Sequence, residues 1–166
     1  MKAPICEICL NSDILCKVCQ EKLDKRIINQ SDIDISRAVY GLSKSLNILK
    51  DIEVKKVLET DNLAVIICKK GDASKLIGKD GVVARRLSKN IGKGIRVIEE
   101  SNDLKEFIQN LIYPVPLLRI NIVYLPDEKE VFKIVIPKEH KLQIDKATLS
   151  NLTYQMFGKE SVVSKE

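Results

Sequence analysis

The sequence predicts an α+β protein in which one helix–strand–strand–helix–strand pattern occurs twice behind a small cysteine-rich segment. Four of the five cysteines lie within residues 6–19. In the rest of the chain, segments with helical apolar periodicity alternate with β-branched runs. This pattern starts again after roughly 66 residues, which is typical of a duplicated supersecondary unit.

The composition is that of a globular chain with room for two or three small domains. Of its 166 residues, 45% are hydrophobic, and the core must consist of Ile, Leu and Val because aromatic residues make up only 4%. The formal net charge of +5 favours a polyanionic partner. Neither an export signal nor an apolar run of membrane-spanning length is visible, so we expect a cytoplasmic protein without a membrane partner.

The first copy of the pattern is predicted to occupy residues 31–100, after a short charged helix at 20–28. It begins with a helix at 31–49, for which Ser31 is the expected N-cap and Asp34 the capping-box residue. The apolar stripe of this helix comprises Ile35, Val39, Leu42 and Leu46. The next elements are expected to be strands at 54–60 and 63–70, helices at 72–77 and 82–91, and a strand at 94–100.

The second copy is predicted to occupy residues 101–166. Its elements are expected to be a helix at 102–112, strands at 117–125 and 130–136, a helix at 144–157, and a short strand at 161–163. Gly158 would end the last helix as Gly92 ends the corresponding helix of the first copy. The domain organisation is therefore a cysteine module at 1–30 followed by the two copies.

A glycine-containing tetrapeptide, Gly78-Lys79-Asp80-Gly81, lies between two predicted helices of the first copy. Glycine lets the main chain approach a ligand closely and adopt positive φ. The following helix offers its N–H groups and positive dipole end to phosphate oxygens. Lys79 adds a cation that Asp80 partly offsets, and further positive charge comes from Lys75, Arg85, Arg86 and Lys89. The apolar residues expected to anchor both helices are Leu76, Ile77, Val83 and Leu87.

The same four residues could form an ordinary glycine-stabilised helical turn. The surrounding pattern favours a binding loop instead, since an apolar residue precedes the loop, two strands lie upstream and one lies downstream. With the order α-β-β-α-α-β and this GXXG loop, residues 31–100 resemble a type II KH domain, and residues 101–166 resemble a second copy. The tandem arrangement resembles the archaeal NusA-like transcription elongation and termination factors.

This resemblance implies a fold class, a ligand and a partner. The fold class is α+β with two type II KH domains, the second degenerate, behind a zinc-binding module. Single-stranded RNA would be bound by the Gly78–Gly81 loop, as KH modules bind about four nucleotides. In the second copy Ile144-Asp145-Lys146-Ala147, or a register one residue later, stands opposite the loop, so both glycines are missing and a carboxylate is present.

The cysteine cluster has the spacing C-x2-C-x6-C-x2-C, formed by Cys6, Cys9, Cys16 and Cys19. Each pair can place two thiolates on one side of a tetrahedral ion, which predicts one structural Zn²⁺. Disulfides are disfavoured in the cytosol, and an iron–sulfur or rubredoxin-like iron site is the other alternative. A zinc module beside KH domains could also contact RNA or RNA polymerase. Cys68 lies in an apolar run and is expected to be a core residue.

No catalytic constellation is visible, so we expect a non-enzymatic protein without a small-molecule substrate. His140 is the only histidine, and motifs for metalloproteases, P-loop enzymes and serine hydrolases are absent from the sequence. Two alternatives to a transcription factor remain open. One is a ribosome-associated or ribosome-assembly KH protein, and the other is a protein-interaction adaptor in which both KH folds serve as scaffold.

Overall fold

A computed structural model describes residues 1–127 and 129–166. In this part of the chain the helices are α1 (Glu7–Leu10), α2 (Lys17–Asp24), α3 (Gln30–Ser43), α4 (Ala73–Ile77), α5 (Val82–Ile91), α6 (Leu104–Ile112) and α7 (Lys146–Phe157). The strands are β1 (Val54–Glu59), β2 (Leu63–Cys68), β3 (Gly94–Glu99), β4 (Arg119–Tyr124), β5 (Glu130–Ile136) and β6 (Ser161–Lys165).

The chain divides into two compact units, Met1–Glu100 and Ser101–Glu166. Each contains a three-stranded sheet, with strand orders β1-β2-β3 and β4-β5-β6. In both sheets the first two strands pair antiparallel and the last two pair parallel. The same sheet topology therefore occurs twice, and the cysteine segment lies within the first unit. Among the described residues, no helix combines the length and apolar character needed to cross a membrane.

The core of the first unit forms between its sheet and three helices. The central strand β2 is buried from Ala64 to Cys68, which explains its continuous apolar sequence. Helix α3 contributes Ile35 and Val39 to this core, and the helices on either side of the glycine loop contribute the buried residues Leu76, Val83 and Leu87.

Helix α3 begins and ends earlier than the sequence pattern predicts. Its N-cap is Asn29 rather than Ser31, and its capping-box partner is Asp32 rather than Asp34. Both pairs have the same spacing, so the local sequence cannot distinguish them. The tertiary structure does, because the buried Asp32 carboxylate accepts the Val57 N–H at 2.6 Å as well as the Asn29 N–H at 2.9 Å.

The other predicted elements are present with shifted ends. Helix α2 starts at Lys17, three residues before its predicted start, because Cys16 is its N-cap. Strands β1 and β2 end at Glu59 and Cys68, and β6 extends to Lys165. Helix α7 begins at Lys146 because the Asp145 side chain accepts the Thr148 N–H and caps it.

The second unit packs both of its helices around a core of its own. Buried side chains come from both helices and from the central strand, and they include Phe107, Ile108, Leu111, Ile134, Leu149 and Leu152. The Phe107 and Phe157 rings meet edge to face with centroids 5.3 Å apart.

We predict that Asp32→Ala lowers the free energy of unfolding by about 2–3 kcal/mol, because it leaves the buried Val57 N–H without its acceptor and removes the helix cap. Chemical denaturation monitored by circular dichroism measures this change. Asp34→Ala is the matched control, since Asp34 is exposed and bonds only to the Gln30 side chain among the described residues. Its cost should stay within about 0.5 kcal/mol, and equal costs would contradict the assigned cap.

Candidate nucleic-acid interface and metal centre

The GKDG loop joins α4 to α5, and three of its four residues have positive φ. Gly78 has φ 74° and ψ 168°, Asp80 has φ 53°, and Gly81 has φ 73°. Gly81 is the N-cap of α5 and provides no side-chain cap, so no side chain closes this helix start. The first N–H groups of the ten-residue helix α5 are therefore available to an anion that approaches the loop.

The two glycines have different structural roles. A Cβ built at Gly78 would lie 2.5 Å from Val83 Cγ2 and 3.0 Å from the Val83 backbone N. Its φ and ψ also fall in a region that is essentially restricted to glycine. At Gly81 the nearest atom to a Cβ would be Arg85 Nη1 at 3.5 Å, which is ordinary contact with a flexible side chain. Gly78 therefore fixes the packing of α5 on α4, whereas Gly81 fixes only the turn.

Three of the four predicted anchors are buried, and one is not. Leu76, Val83 and Leu87 belong to the core. Ile77 is 39% exposed, as is Val82 on the other side of the loop. The prediction that Ile77 is an anchor was wrong because α4 is only five residues long and turns its last residue outward. Sequence reasoning also missed Val82, which with Ile77 provides apolar surface on both sides of the loop.

The predicted cations around the loop are exposed, with one exception. Four of them are exposed, namely Lys79, Arg85, Arg86 and Lys89, and the neighbouring Asp80 is exposed as well. Within residues 1–127 and 129–166, none of these four cations forms an ion pair with a carboxylate. Their charge is therefore available to an external anion.

Lys75 has an internal partner. Its ammonium group bonds to Asp72 Oδ1 at 2.9 Å, and the other oxygen of this buried carboxylate accepts the Glu53 N–H at 2.9 Å. Burial acts to raise the pKa of Asp72, but the hydrogen bonds from Lys75 and from the Glu53 N–H outweigh it and hold the pKa below its usual value. Lys75 thus helps to fix the start of α4, next to the loop.

In the second unit a side chain caps α7, the helix that corresponds to α5. When their terminal glycines, Gly92 and Gly158, are aligned, helix α7 begins two residues earlier than α5 does. The Asp145 carboxylate accepts the Thr148 N–H at 2.9 Å, and hydrogen bonds from the Thr148 side chain and from this N–H lower the pKa of Asp145. A carboxylate thus occupies the helix N-terminus that is open in the first unit, so an anion cannot bind there in the same way.

The net charge of the chain is confined to the first unit. Residues 101–166 contain nine basic and nine acidic residues, so the formal charge of +5 comes entirely from residues 1–100. Within that unit, residues 69–96 carry nine basic residues and only two acidic ones. Positive charge is therefore concentrated in the segment that contains the glycine loop.

The four N-terminal cysteines form two similar turns that face each other. Cys6 and Cys16 are the N-caps of α1 and α2 and have nearly identical backbone angles. The Cys16 N–H points at Cys9 Sγ at 3.1 Å, and the Cys6 N–H points at Cys19 Sγ at 3.4 Å. Each turn thus donates a backbone hydrogen bond to the second sulfur of the other.

The sulfur positions fit a tetrahedral metal ion. All four Sγ atoms lie within 4.8 Å of one another, with Cys6 Sγ 3.5 Å from Cys9 Sγ and 3.8 Å from Cys16 Sγ. A tetrahedral ion with metal–sulfur bonds of about 2.3 Å places its ligands about 3.8 Å apart. The protein therefore brings together a closed set of four sulfur ligands.

The thiols of Cys9 and Cys16 have opposite pKa shifts. Burial raises the pKa of the Cys9 thiol to about 12, whereas the Cys19 N–H is the main cause that lowers the pKa of Cys16 to about 7. A metal ion would hold all four groups as thiolates. The Arg37 Nε–H bonds to the Cys9 carbonyl oxygen at 3.1 Å, which places positive charge beside the cluster. Cys68 lies elsewhere, buried against the Ile98 carbonyl oxygen.

The arrangement of elements defines the class of protein. The order α3-β1-β2-α4-α5-β3, with GKDG between α4 and α5, is that of a type II KH domain, and the second unit repeats its sheet without a counterpart of α4 among the described residues. The chain thus has an α+β fold with two KH-type units, of which the second is degenerate. The crystal structure of APE1850 has the same overall fold, with a TM-score of 0.59, 20% sequence identity, and coverage of 77% of this chain and 96% of that one.

Curated relatives confirm the resemblance to archaeal NusA-like proteins over part of the chain. One is the probable transcription termination protein NusA of Methanococcus vannielii, which is 33% identical over 78 residues, or 47% of this chain and 45% of the relative. The protein with the same name from Methanocaldococcus jannaschii is 36% identical over 61 residues, or 37% of this chain and 33% of the relative. The matches thus span less than half of each relative's length. No protein-family model matches the chain.

We predict that Gly78→Ala lowers the free energy of unfolding by about 2–4 kcal/mol, since the methyl group meets Val83 and the backbone becomes strained. Gly81→Ala serves as the comparison, because it adds only the cost of a left-handed alanine, about 1–2 kcal/mol. Urea denaturation of both variants measures the difference. Equal costs would contradict the different roles assigned to the two glycines.

Proposed function

We propose that the first KH domain binds single-stranded RNA through the GKDG loop and the start of α5. One observation carries the proposal: an uncapped helix N-terminus with a left-handed glycine loop lies beside exposed cations that have no carboxylate partner among the described residues. A phosphate group needs backbone N–H donors and positive charge in one place. The exposed apolar residues Ile77 and Val82 would contact sugars or bases.

Each residue of the proposed interface has a separate role. Gly78 sets the direction of α5, and Gly81 leaves its N–H groups accessible. Lys79 would contact a phosphate directly, while Asp80 limits the positive charge at the loop tip. Three cations, Arg85, Arg86 and Lys89, would attract and follow the strand along α5. Lys75, which is bonded to Asp72, would act through the position of α4 and through its long-range charge.

The cellular process that we propose is transcription elongation or termination. Support comes from the relatives, both named as probable transcription termination proteins. RNA polymerase is the second partner proposed, and the protein would act in the cytoplasm without enzymatic activity. A ribosome-associated KH protein would use the same RNA chemistry, so co-purification with polymerase or with ribosomal subunits distinguishes the two.

A protein-interaction adaptor is the alternative from another functional class. The second unit favours it, because that unit has no net charge and its helix start is closed by Asp145. An adaptor would bind nucleic acid no more tightly than background and with little dependence on salt. The charge concentrated at residues 69–96 supports RNA binding instead.

We propose that Cys6, Cys9, Cys16 and Cys19 hold one structural Zn²⁺. Zinc prefers a closed tetrahedral set of four thiolates and needs no redox chemistry. The bound ion would cross-link two turns that are too short to fold on their own. An iron site has the same ligand set, and metal analysis separates the two ions.

We predict that Lys79→Asp weakens binding of single-stranded RNA by at least about tenfold, because a phosphate contact is replaced by repulsion. The salt dependence should also fall, by about one unit in the slope of log K against log salt. Fluorescence anisotropy with a labelled RNA at several salt concentrations measures both quantities.

Lys146→Asp is the matched control for this experiment, since it makes the same charge change at the start of α7, the helix of the second copy that corresponds to α5. It should leave RNA affinity within about twofold of wild type, and circular dichroism should show that both variants are folded. Wild-type affinity in Lys79→Asp would disprove the site. Background affinity in the wild-type protein would favour the adaptor.

We predict that elemental analysis finds one zinc ion per chain. Replacing both buried ligands, Cys9 and Cys19, with serine should abolish zinc binding. Cys68→Ser is the control and should retain the metal, because Cys68 lies outside the cluster. Because the ligands must be deprotonated, apparent affinity should decrease as pH is lowered. Metal retained by the double variant, or iron in place of zinc, would contradict the assignment.

A further inference from the structure

Strand β4 is an outer strand whose free edge has no partner in the described part of the chain. It pairs with β5 on one side only. The Leu125 N–H bonds to the Lys129 carbonyl oxygen, so odd-numbered residues of β4 turn their main chain toward β5. The N–H and C=O groups of the even-numbered residues therefore point away from the sheet. These residues are Ile120, Ile122 and Tyr124. No hydrogen bond to these groups occurs within residues 1–127 and 129–166.

The corresponding edge of the first unit is closed. In β1 the Val54 N–H bonds to the Lys2 carbonyl oxygen at 2.9 Å. The Val57 N–H bonds to Asp32, and the Val57 carbonyl oxygen accepts a bond from the Asn29 side chain at 3.2 Å. Strand β1 also carries two exposed lysines, which discourage edge pairing. The outer edge of the first strand thus forms hydrogen bonds in the first unit, whereas the described residues form none with it in the second unit.

Four of the six side chains of β4 are apolar or aromatic, although none is buried. Ile122 is 52% exposed and Tyr124 is 71% exposed, and the adjoining Leu125 is also exposed. Arg119 is the only charged residue of the strand, and it forms an ion pair with Glu166. An exposed apolar edge without lysine or an internal proline is an effective template for another strand.

We propose that β4 pairs antiparallel with β4 of a second copy of this chain, about a two-fold axis at Ile122. In this register Ile122 lies opposite Ile122, and Ile120 lies opposite Tyr124, so each pair can exchange both N–H···O bonds. Each residue whose N–H and C=O groups point away from β5 then lies opposite such a residue of the second copy. The two three-stranded sheets become one sheet of six strands.

The strand sequence and its charges favour a second copy over another partner. Ile120 opposite Tyr124 forms the β-branched–aromatic pairs that stabilise neighbouring strands. Arg119 lies opposite Leu125 of the other copy, so no like charges meet. The second unit has no net charge and does not repel its own copy. Because one short strand buries less than the roughly 1,200 Å² of a stable interface, the dimer should be weak and depend on concentration.

Analytical ultracentrifugation of the full metal-loaded chain tests the proposal. Between about 10 µM and 1 mM, the range in which weak dimers form, the average mass should rise from 18.8 kDa toward twice that value. Ile122→Lys, which would place two ammonium groups opposite each other, should reduce the association constant at least tenfold. Val162→Lys is the matched control, because Val162 is 48% exposed on β6 at the other edge of the same sheet.

A second measurement reports the register itself. Opposite residues in such a pair have Cα atoms about 5.5 Å apart, which a disulfide can bridge. Ile122→Cys should therefore form a covalent dimer under mild oxidation, and Val162→Cys should not. A mass that stays at 18.8 kDa at the highest concentration overturns the proposal. Self-association that Ile122→Lys leaves unchanged, or that Val162→Lys reduces equally, also overturns it.

Discussion

The close packing of Val83 against Gly78 is the constraint on which the candidate RNA interface depends. Because Gly78 has no side chain, Val83 Cγ2 occupies the position that a Cβ would require. This contact brings the first turn of α5 against the end of α4, and the buried Leu76 and Leu87 hold both helices on the sheet. The loop tip is therefore exposed but firmly positioned, which a site for a flexible nucleic-acid strand requires.

Comparison of the two copies shows what happens when this constraint is lost. The second copy has side chains where the glycines would stand, and α7 is two residues longer than α5 at its start, which lies at Lys146. The Asp145 carboxylate caps this helix by accepting the Thr148 N–H, whereas no side chain caps α5. The charge changes in parallel, since the second unit is neutral while the first carries the whole net charge. Both changes are consistent with one copy specialised for a polyanion.

Sequence reasoning identified the features that local patterns encode. The bounds of α5 and β5 follow directly from glycine positions and β-branched runs, and the four cysteines are brought together as their spacing predicts. Features that depend on tertiary contacts could not be predicted from the sequence. Asn29 and Ser31 are equivalent as caps until Asp32 meets Val57. The outward turn of Ile77 and the internal partner of Lys75 likewise depend on how α4 lies on the sheet.

Helix α3 links the cysteine cluster to the KH core. One face of the helix packs on the sheet through Ile35 and Val39, while Ile33 packs with the buried Cys9 and Cys19 on the opposite side. Arg37 reaches the Cys9 carbonyl oxygen from the same helix. Ordering of the two cysteine turns therefore also supports the helix whose Asp32 holds β1 in place. A metal ion bound there would stabilise the first KH domain as a whole, because the cysteine segment shares its central helix.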